Sequence, residues 1–400
     1  MMRKVLFWTH LAAGLAAGGV ILMMSATGAV LTYEAQWVRW AENRMAVAPR
    51  DDGLLDLDEI RARAAEAGVA HFESFIPMRV TLRPGAGAPV RVSGGLSERV
   101  YLDPYEGRLL GTGFPRLEGF LESARGWHRW FNLEGAGRRR GRAWTGAANL
   151  IFLFMLCSGP LLWIPRTRTW THFKQILFFS RGLSPRARDF NWHNVLGIWL
   201  ALPLLVIAAS ASVTSYAWAG DIVAWAAGEA PGTPPPARVS AERPGAEPSG
   251  ADSRGSSLRD AVLAAADRSG GGRVPPWREI DVTLPSVGDS TVSALVYRGG
   301  PGQPHLQETL TLDVRTGQVL ERVGYENQPR ARRYRSLVRY AHTGEFWGLM
   351  GQTVAGVASF AAVLLGITGI SLALRRLGAS LRRRRPRGYQ ASAESGRGRS

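Results

Sequence analysis

Residues 5–33, Val5-Leu-Phe-Trp-Thr-His10-Leu-Ala-Ala-Gly14-Leu-Ala-Ala-Gly18-Gly-Val-Ile-Leu-Met-Met-Ser25-Ala-Thr27-Gly28-Ala-Val-Leu-Thr-Tyr33, contain no Asp, Glu, Lys or Arg. A helix of about 20 apolar residues crosses the hydrocarbon core of a bilayer, and this run is longer. Arg3 and Lys4 precede it and small residues follow at 25–29, as in a secretory signal, but a signal h-region has only about 7–15 residues. The run therefore reads as an uncleaved span. Residues 143–165, 195–220 and 346–374 are equally free of charge. The 46% hydrophobic content, ordinary for a soluble protein, conceals this segregation into four candidate transmembrane helices.

The formal net charge of +17 raises the question of nucleic acid, but the arginines gather beside the spans and form no recognition motif. Arg166, Arg168, Lys174, Arg181, Arg186 and Arg188 lie in the loop between the second and third spans, and Arg375, Arg376 and residues 382–385 follow the fourth. The positive-inside rule puts that loop, the tail and Met1 in the cytoplasm. Arg138, Arg139, Arg140, Arg142 and the arginines of 330–339 then fall on the opposite side, in long loops whose translocation tolerates such charge. The only cysteine, Cys157, lies inside the second span, so neither an intrachain disulfide nor covalent haem attachment is available.

Between the spans, residues 34–142 and 221–345 each read as a helix followed by strands. Helical periodicity at 55–67 precedes alternating strands at 79–82, 90–92 and 100–102. Helix 257–267 precedes strands at 280–284, 291–297 and 309–312. An internal repeat ends each set: Val100-Tyr-Leu-Asp103-Pro-Tyr-Glu-Gly107-Arg-Leu-Leu110 matches Leu310-Thr-Leu-Asp313-Val-Arg-Thr-Gly317-Gln-Val-Leu320. Asp caps such a turn and Gly supplies its positive φ. Residues 229–257, rich in Pro, Gly, Ala and Ser, read as a flexible linker. The expected order is span 5–33, domain 34–142, span 143–165, basic cytoplasmic loop 166–192, span 193–220, domain 221–345, span 346–374 and basic tail 375–400.

Of the seven histidines, His10, His128, His193 and His342 stand at or near the ends of the four spans, and His71, His172 and His305 in the intervening parts. The orientation above groups His10 with His193 at the cytoplasmic face and His128 with His342 at the opposite one. Imidazole is an axial ligand of haem iron, and helical bundles build cofactor sites from side chains on facing helices. Gly14 and Gly197 each follow a histidine by four residues, on the same helix face, leaving room for a flat porphyrin; tight helix packing explains the same pattern. Any single histidine also suits a headgroup-zone residue, and the pairing favours the cofactor reading. His128 lies far from its uncharged run, with Gly135 and Gly137 weakening the helix between them. Arg138–Arg140 and Arg142 suit haem propionates, an anionic electron acceptor or plain solvation. His71 and His305 suit either acceptor docking or an ordinary surface. No residue is assigned a catalytic role.

The two hairpins, together with Ser158-Gly159-Pro-Leu-Leu-Trp163-Ile-Pro165-Arg166, Trp192-His193-Asn-Val-Leu-Gly197, His342-Thr343-Gly344-Glu-Phe-Trp-Gly348 and Thr368-Gly369, resemble the PepSY-associated transmembrane family, which includes inner-membrane ferric-siderophore reductases. The resemblance implies a membrane α+β protein, a four-transmembrane-helix bundle with two periplasmic PepSY-like helix-plus-antiparallel-sheet domains, in a bacterial inner membrane with both termini cytoplasmic. It further implies two non-covalent, bis-His haem b groups, on His10/His193 and His128/His342, carrying electrons from a cytoplasmic or quinone donor to a ferric chelate or siderophore in the periplasm. The third span departs from the family pattern. Where the others carry Thr27-Gly28, Ser158-Gly159 and Thr368-Gly369, it has Ser210-Ala-Ser-Val-Thr214.

The competing reading is a non-enzymatic, membrane-anchored module that binds a periplasmic protein. An ion-coupled transporter is disfavoured because the spans carry no Asp, Glu, Lys or Arg to relay protons. No Gly-rich dinucleotide fingerprint follows a strand, so electrons would come from a separate donor.

Overall fold

The computed structural model describes residues 1–51, 53–95, 98–165, 169–230, 257–268, 275–286, 288–300 and 302–384. Most of the expected linker 229–257, Arg166 and Arg168 of the basic loop, and the tail from residue 385 lie outside the described residues. The chain runs α1 (Met2–Leu31), α2 (Glu34–Asn43), α3 (Leu57–Val69), β1 (Arg79–Leu82), β2 (Val90–Ser93), β3 (Arg99–Leu102), β4 (Leu109–Gly111), α4 (Pro115–Trp130) and α5 (Gly137–Trp163). It continues with α6 (Trp170–Leu177), α7 (Pro185–Ser215), α8 (Ala217–Ala226), α9 (Leu258–Arg268), β5 (Glu279–Thr283), β6 (Thr291–Tyr297), β7 (Gln307–Asp313), β8 (Val319–Gly324), α10 (Arg330–Thr343) and α11 (Gly348–Arg384). Two compact units result, one of Met1–Gly28, Trp127–Ala209 and Val357–Ser400, the other of Ala29–Gly126 and Ser210–Gly356.

The first unit is helical. Four helical segments, Met2–Asn43, Gly137–Trp163, Pro185–Ser215 and Glu345–Ser380, are long and apolar enough to cross a membrane. Their contacts use small residues, which let helix backbones approach where lipid offers no hydrophobic drive for association. Ala17 and Ile21 of α1 meet Ala148 of α5; Leu204 of α7 meets Ala358 and Ala362 of α11. The buried Asn149 of α5 donates to the Ala208 carbonyl of α7 at 2.9 Å. Arg3 donates to the Leu162 and Ile164 carbonyls at 2.7 and 2.6 Å, satisfying the end of α5 with the cation that a helix C-terminus favours.

The second unit is built on one eight-stranded sheet in the order β4-β3-β2-β1-β5-β6-β7-β8. The two segments expected as separate domains thus share a single sheet, through antiparallel pairing of Val80 with Val282 and Leu82 with Ile280. Period-2 alternation delivers Val80, Val92, Val100, Ile280, Val282, Val292, Leu310 and Leu312 to one face, against Leu57 and Ile60 of α3 and Val262 and Ala265 of α9. Each fully buried side chain of this kind contributes about 1.5–3 kcal/mol. Asp56 joins the halves again by accepting from the Arg259 N–H at the start of α9, at 2.9 Å.

The opposite face is polar. The wholly buried Glu42 of α2 pairs with Arg83 and Arg91 and accepts from the Tyr101 hydroxyl. Glu279 pairs with Arg39, Arg83 and Arg91. Burial, then the Glu42 carboxylate, pushes the Tyr101 phenol up from its ordinary range.

The repeated hairpins close alike. Gly107 N–H donates to Asp103 O and Gly317 N–H to Asp313 O, each at 3.0 or 2.9 Å, with φ of +68° and +66° at the two glycines. The second strands of these two expected hairpins are β4 and β8.

Candidate functional site

His10, His128 and His193 belong to the helical unit and His342 to the sheet-bearing unit. His10 and His193 sit on α1 and α7. His128 and His342 do not lie on N-terminal extensions of the long helices. His128 is carried by α4, which ends at Trp130 before positive φ at Phe131 and Asn132 turns the chain into α5; His342 is carried by α10, which ends at the left-handed Gly344. The weak helix expected between His128 and the second span is in fact a break.

Every one of the four imidazoles has its Nδ1 beside a hydroxyl of another helix. His10 Nδ1 lies 2.7 Å from Ser158 Oγ, His128 Nδ1 3.1 Å from Thr27 Oγ1, His193 Nδ1 3.2 Å from Thr368 Oγ1 and His342 Nδ1 3.4 Å from Ser210 Oγ. These hydroxyls head the Ser/Thr-Gly pairs noted in the sequence, and Ser210-Ala211 takes the fourth place. The following glycine accommodates the ring. A Cβ added at Gly28 would stand 3.3 Å from His128 Cε1, at Gly369 3.1 Å from His193 Cε1 and at Gly159 3.8 Å from His10 Cε1.

Proton positions follow from the partners. Thr27 Oγ1 donates to the Met23 carbonyl at 2.8 Å, Thr368 Oγ1 to Leu364 at 2.8 Å and Ser158 Oγ to Met155 at 3.3 Å. An oxygen whose proton is so engaged accepts from the imidazole. His128 Nδ1 also donates to the Met24 carbonyl at 2.9 Å, a group that can only accept. At His10, His128 and His193, Nδ1 therefore carries the hydrogen and Nε2 keeps its lone pair, the state in which histidine binds a metal while its other nitrogen fixes the ring.

His10 and His193 line a common cavity of about 650 Å³ within the helical unit, inside the range of about 300–1,000 Å³ for ligand and cofactor sites. Its walls come from α1, α5, α7 and α11 and include Gly14, Gly18, Gly159, Gly197, Gly366 and Gly369. Gly14 and Gly18 also serve packing, since a Cβ there would stand 3.3 Å from Met155 Cε and 3.2 Å from Ile370 Cγ1. Arg186 and Arg376 line the same cavity, two residues that carried no expectation beyond topology. Their signal in the sequence was their spacing from the ligand candidates: Arg186 precedes His193 by two helical turns on α7.

Among the described residues no group of three or more His, Cys, Asp or Glu could hold a bare metal ion. A pair of imidazoles in the lining of one largely apolar, glycine-rich cavity instead fits a flat cofactor. His128 and His342 belong to different units. Arg138 stacks on Trp130 at 4.9 Å, and Arg139, Arg140 and Arg142 are exposed. His71 is exposed; His305 packs against Phe346 with the rings tilted, centroids 4.8 Å apart, and burial lowers its basicity. His172 is exposed and bonds Thr169.

The model of the family described as the PepSY-associated TM region matches residues 7–376. A search of curated proteins finds no match.

Proposed function

The chain belongs to the PepSY-associated transmembrane family, and from that premise we propose that it is a di-haem b electron carrier of a bacterial inner membrane that reduces a ferric chelate, such as a siderophore complex, in the periplasm. His10 and His193 would hold one haem and His128 and His342 the other. The observation that carries this reading is the fourfold repetition of one device: an imidazole whose Nδ1 is tied to a Ser or Thr hydroxyl of a neighbouring helix. Interfacial histidines have no reason to repeat it.

Haem b bound by these histidines would supply reversible one-electron transfer. The residues of the chain do the rest. The hydroxyls fix ring rotation and tautomer, so Nε2 is presented unprotonated. Phe7, Leu11, Phe152 and Leu365 contribute apolar walls that suit the ring of such a ligand. The net reaction takes one electron from a cytoplasmic or quinone-pool donor for each ferric chelate converted to the ferrous state. Basic residues Lys174, Arg181, Arg186, Arg188, Arg375 and Arg376 support a cytoplasmic location for that end of the helices and for both termini.

The test is vectorial. Proteoliposomes loaded with a reductant should reduce an external, membrane-impermeant ferric chelate, read as ferrous iron trapped by a colorimetric chelator. The His10→Ala variant should fall to the rate of protein-free vesicles. Equal rates for parent and variant would sink the electron-carrier reading and leave a membrane-anchored binding module.

A further inference from the structure

The cavity around His10 and His193 has no Asp or Glu in its lining, yet two arginines border it. Arg188 and Arg375, the near neighbours of those arginines in sequence, share the buried Asp189 as carboxylate partner, at 3.1 and 3.2 Å, and Ser371 donates to the same carboxylate at 3.0 Å. Arg186 and Arg376 are different. Both are exposed at the cavity, neither has a carboxylate partner among the described residues, and Arg376 lies over the Phe7 ring at 5.6 Å. One carboxylate thus serves two of the four cations, and the two left without one are those that border the apolar space.

Guanidinium is planar, permanently charged and shaped to receive carboxylates in pairs of parallel hydrogen bonds. We propose that Arg186 and Arg376 receive the carboxylates of the cavity's ligand, so that a flat apolar molecule is held by one anionic edge while His10 and His193 take its centre. The choice of ligand rests on the haem reading above: haem b carries its two propionates on one edge and is apolar elsewhere. This assigns the binding of the propionates at the His10/His193 cavity to Arg186 and Arg376 of the helical unit. The same anionic chemistry has a second source, the phospholipid headgroup, which attracts basic residues at a membrane border.

The experiment compares haem b with its dimethyl ester, which keeps the ring and iron and lacks both charges. Full-length protein in nanodiscs, depleted of haem and carrying His128→Ala and His342→Ala so that one site reports, is loaded with either ligand. Loss of ligand to an excess of acceptor apoprotein is then timed. The parent arginines should retain the free acid roughly tenfold longer than the ester or more, the effect of a single charge-assisted bond. Arg186→Gln with Arg376→Gln should abolish that preference by shortening retention of the acid alone, and the Lys pair should restore part of it. The same comparison in the chain with all histidines present, resolved into two phases, serves if the His→Ala background is unstable. Equal retention of acid and ester by the parent, or an unchanged preference in the Gln pair, overturns the proposal and leaves the arginines as headgroup anchors. Failure to take up either ligand removes the haem reading and the proposal together, and is distinguished because no complex forms.

Discussion

Ser158, Thr27, Thr368 and Ser210 each stand on a different helix from the histidine they hold, so rotation of any one imidazole is coupled to the packing of two helices. Thr368→Val would keep shape and leave the His193 N–H without its hydroxyl partner. Loss of such a supporting contact typically costs about 10–100-fold in affinity for the metal group, whereas Thr368→Ser should retain haem nearly as the parent does; the rate of haem loss reads both. The glycines are graded. Gly369→Ala places a Cβ 3.1 Å from His193 and should displace the ring, while at Gly159 the 3.8 Å separation from His10 is ordinary contact. The low-spin absorption bands should therefore shift in Gly369→Ala and persist in Gly159→Ala, which also gains up to about 1 kcal/mol of helix propensity. The four Ser/Thr-small pairs were visible in the sequence. Their role was not, because a hydroxyl and an imidazole more than a hundred positions apart carry no shared periodicity.

At the scale of elements, α2 is fastened to the sheet by Glu42, whose carboxylate is fully buried between Arg83 and Arg91. Glu42→Gln should cost about 3 kcal/mol, the low end for a broken buried pair, because Glu279 still pairs with both arginines; thermal unfolding of the purified protein measures it. The β7–β8 hairpin predicts a pH response. Backbone N–H and hydroxyl groups of Thr316, with the Arg315 N–H, hold the Asp313 carboxyl below its usual range. Its contribution is then fully present above the ordinary carboxylate value of roughly 4 and fades as pH falls through the lowered folded value. Hydrogen exchange at Gly317 and Gln318, normalised for intrinsic rate, should accelerate across that window, and Asp313→Asn should remove the dependence. Local patterns revealed most strands and both hairpins, since alternation and Asp-x-x-x-Gly spacing are short-range signals. The pairing of β1 with β5 and the separate helices α4 and α10 were hidden, since the first joins segments about two hundred residues apart and the second turns on breaks at Phe131, Asn132 and Gly344, of which the glycines after His128 suggested only a weakened helix.

At the scale of the whole molecule, uncharged runs longer than a bilayer made the membrane α+β class legible, because hydrocarbon tolerates only satisfied backbone. The cavity and its two arginines emerge only when α1, α5, α7 and α11 come together. The proposed function requires that four histidines hold two haems. It is tested most directly by the dithionite-reduced minus oxidised absorption spectrum of purified protein, with haem content per chain, for the parent and for His10→Ala, His193→Ala, His128→Ala and His342→Ala. The account predicts low-spin b-type bands with two haems per chain in the parent and one in each variant, the same haem being lost within each pair. A folded protein that stays free of haem after expression with added haem would contradict it.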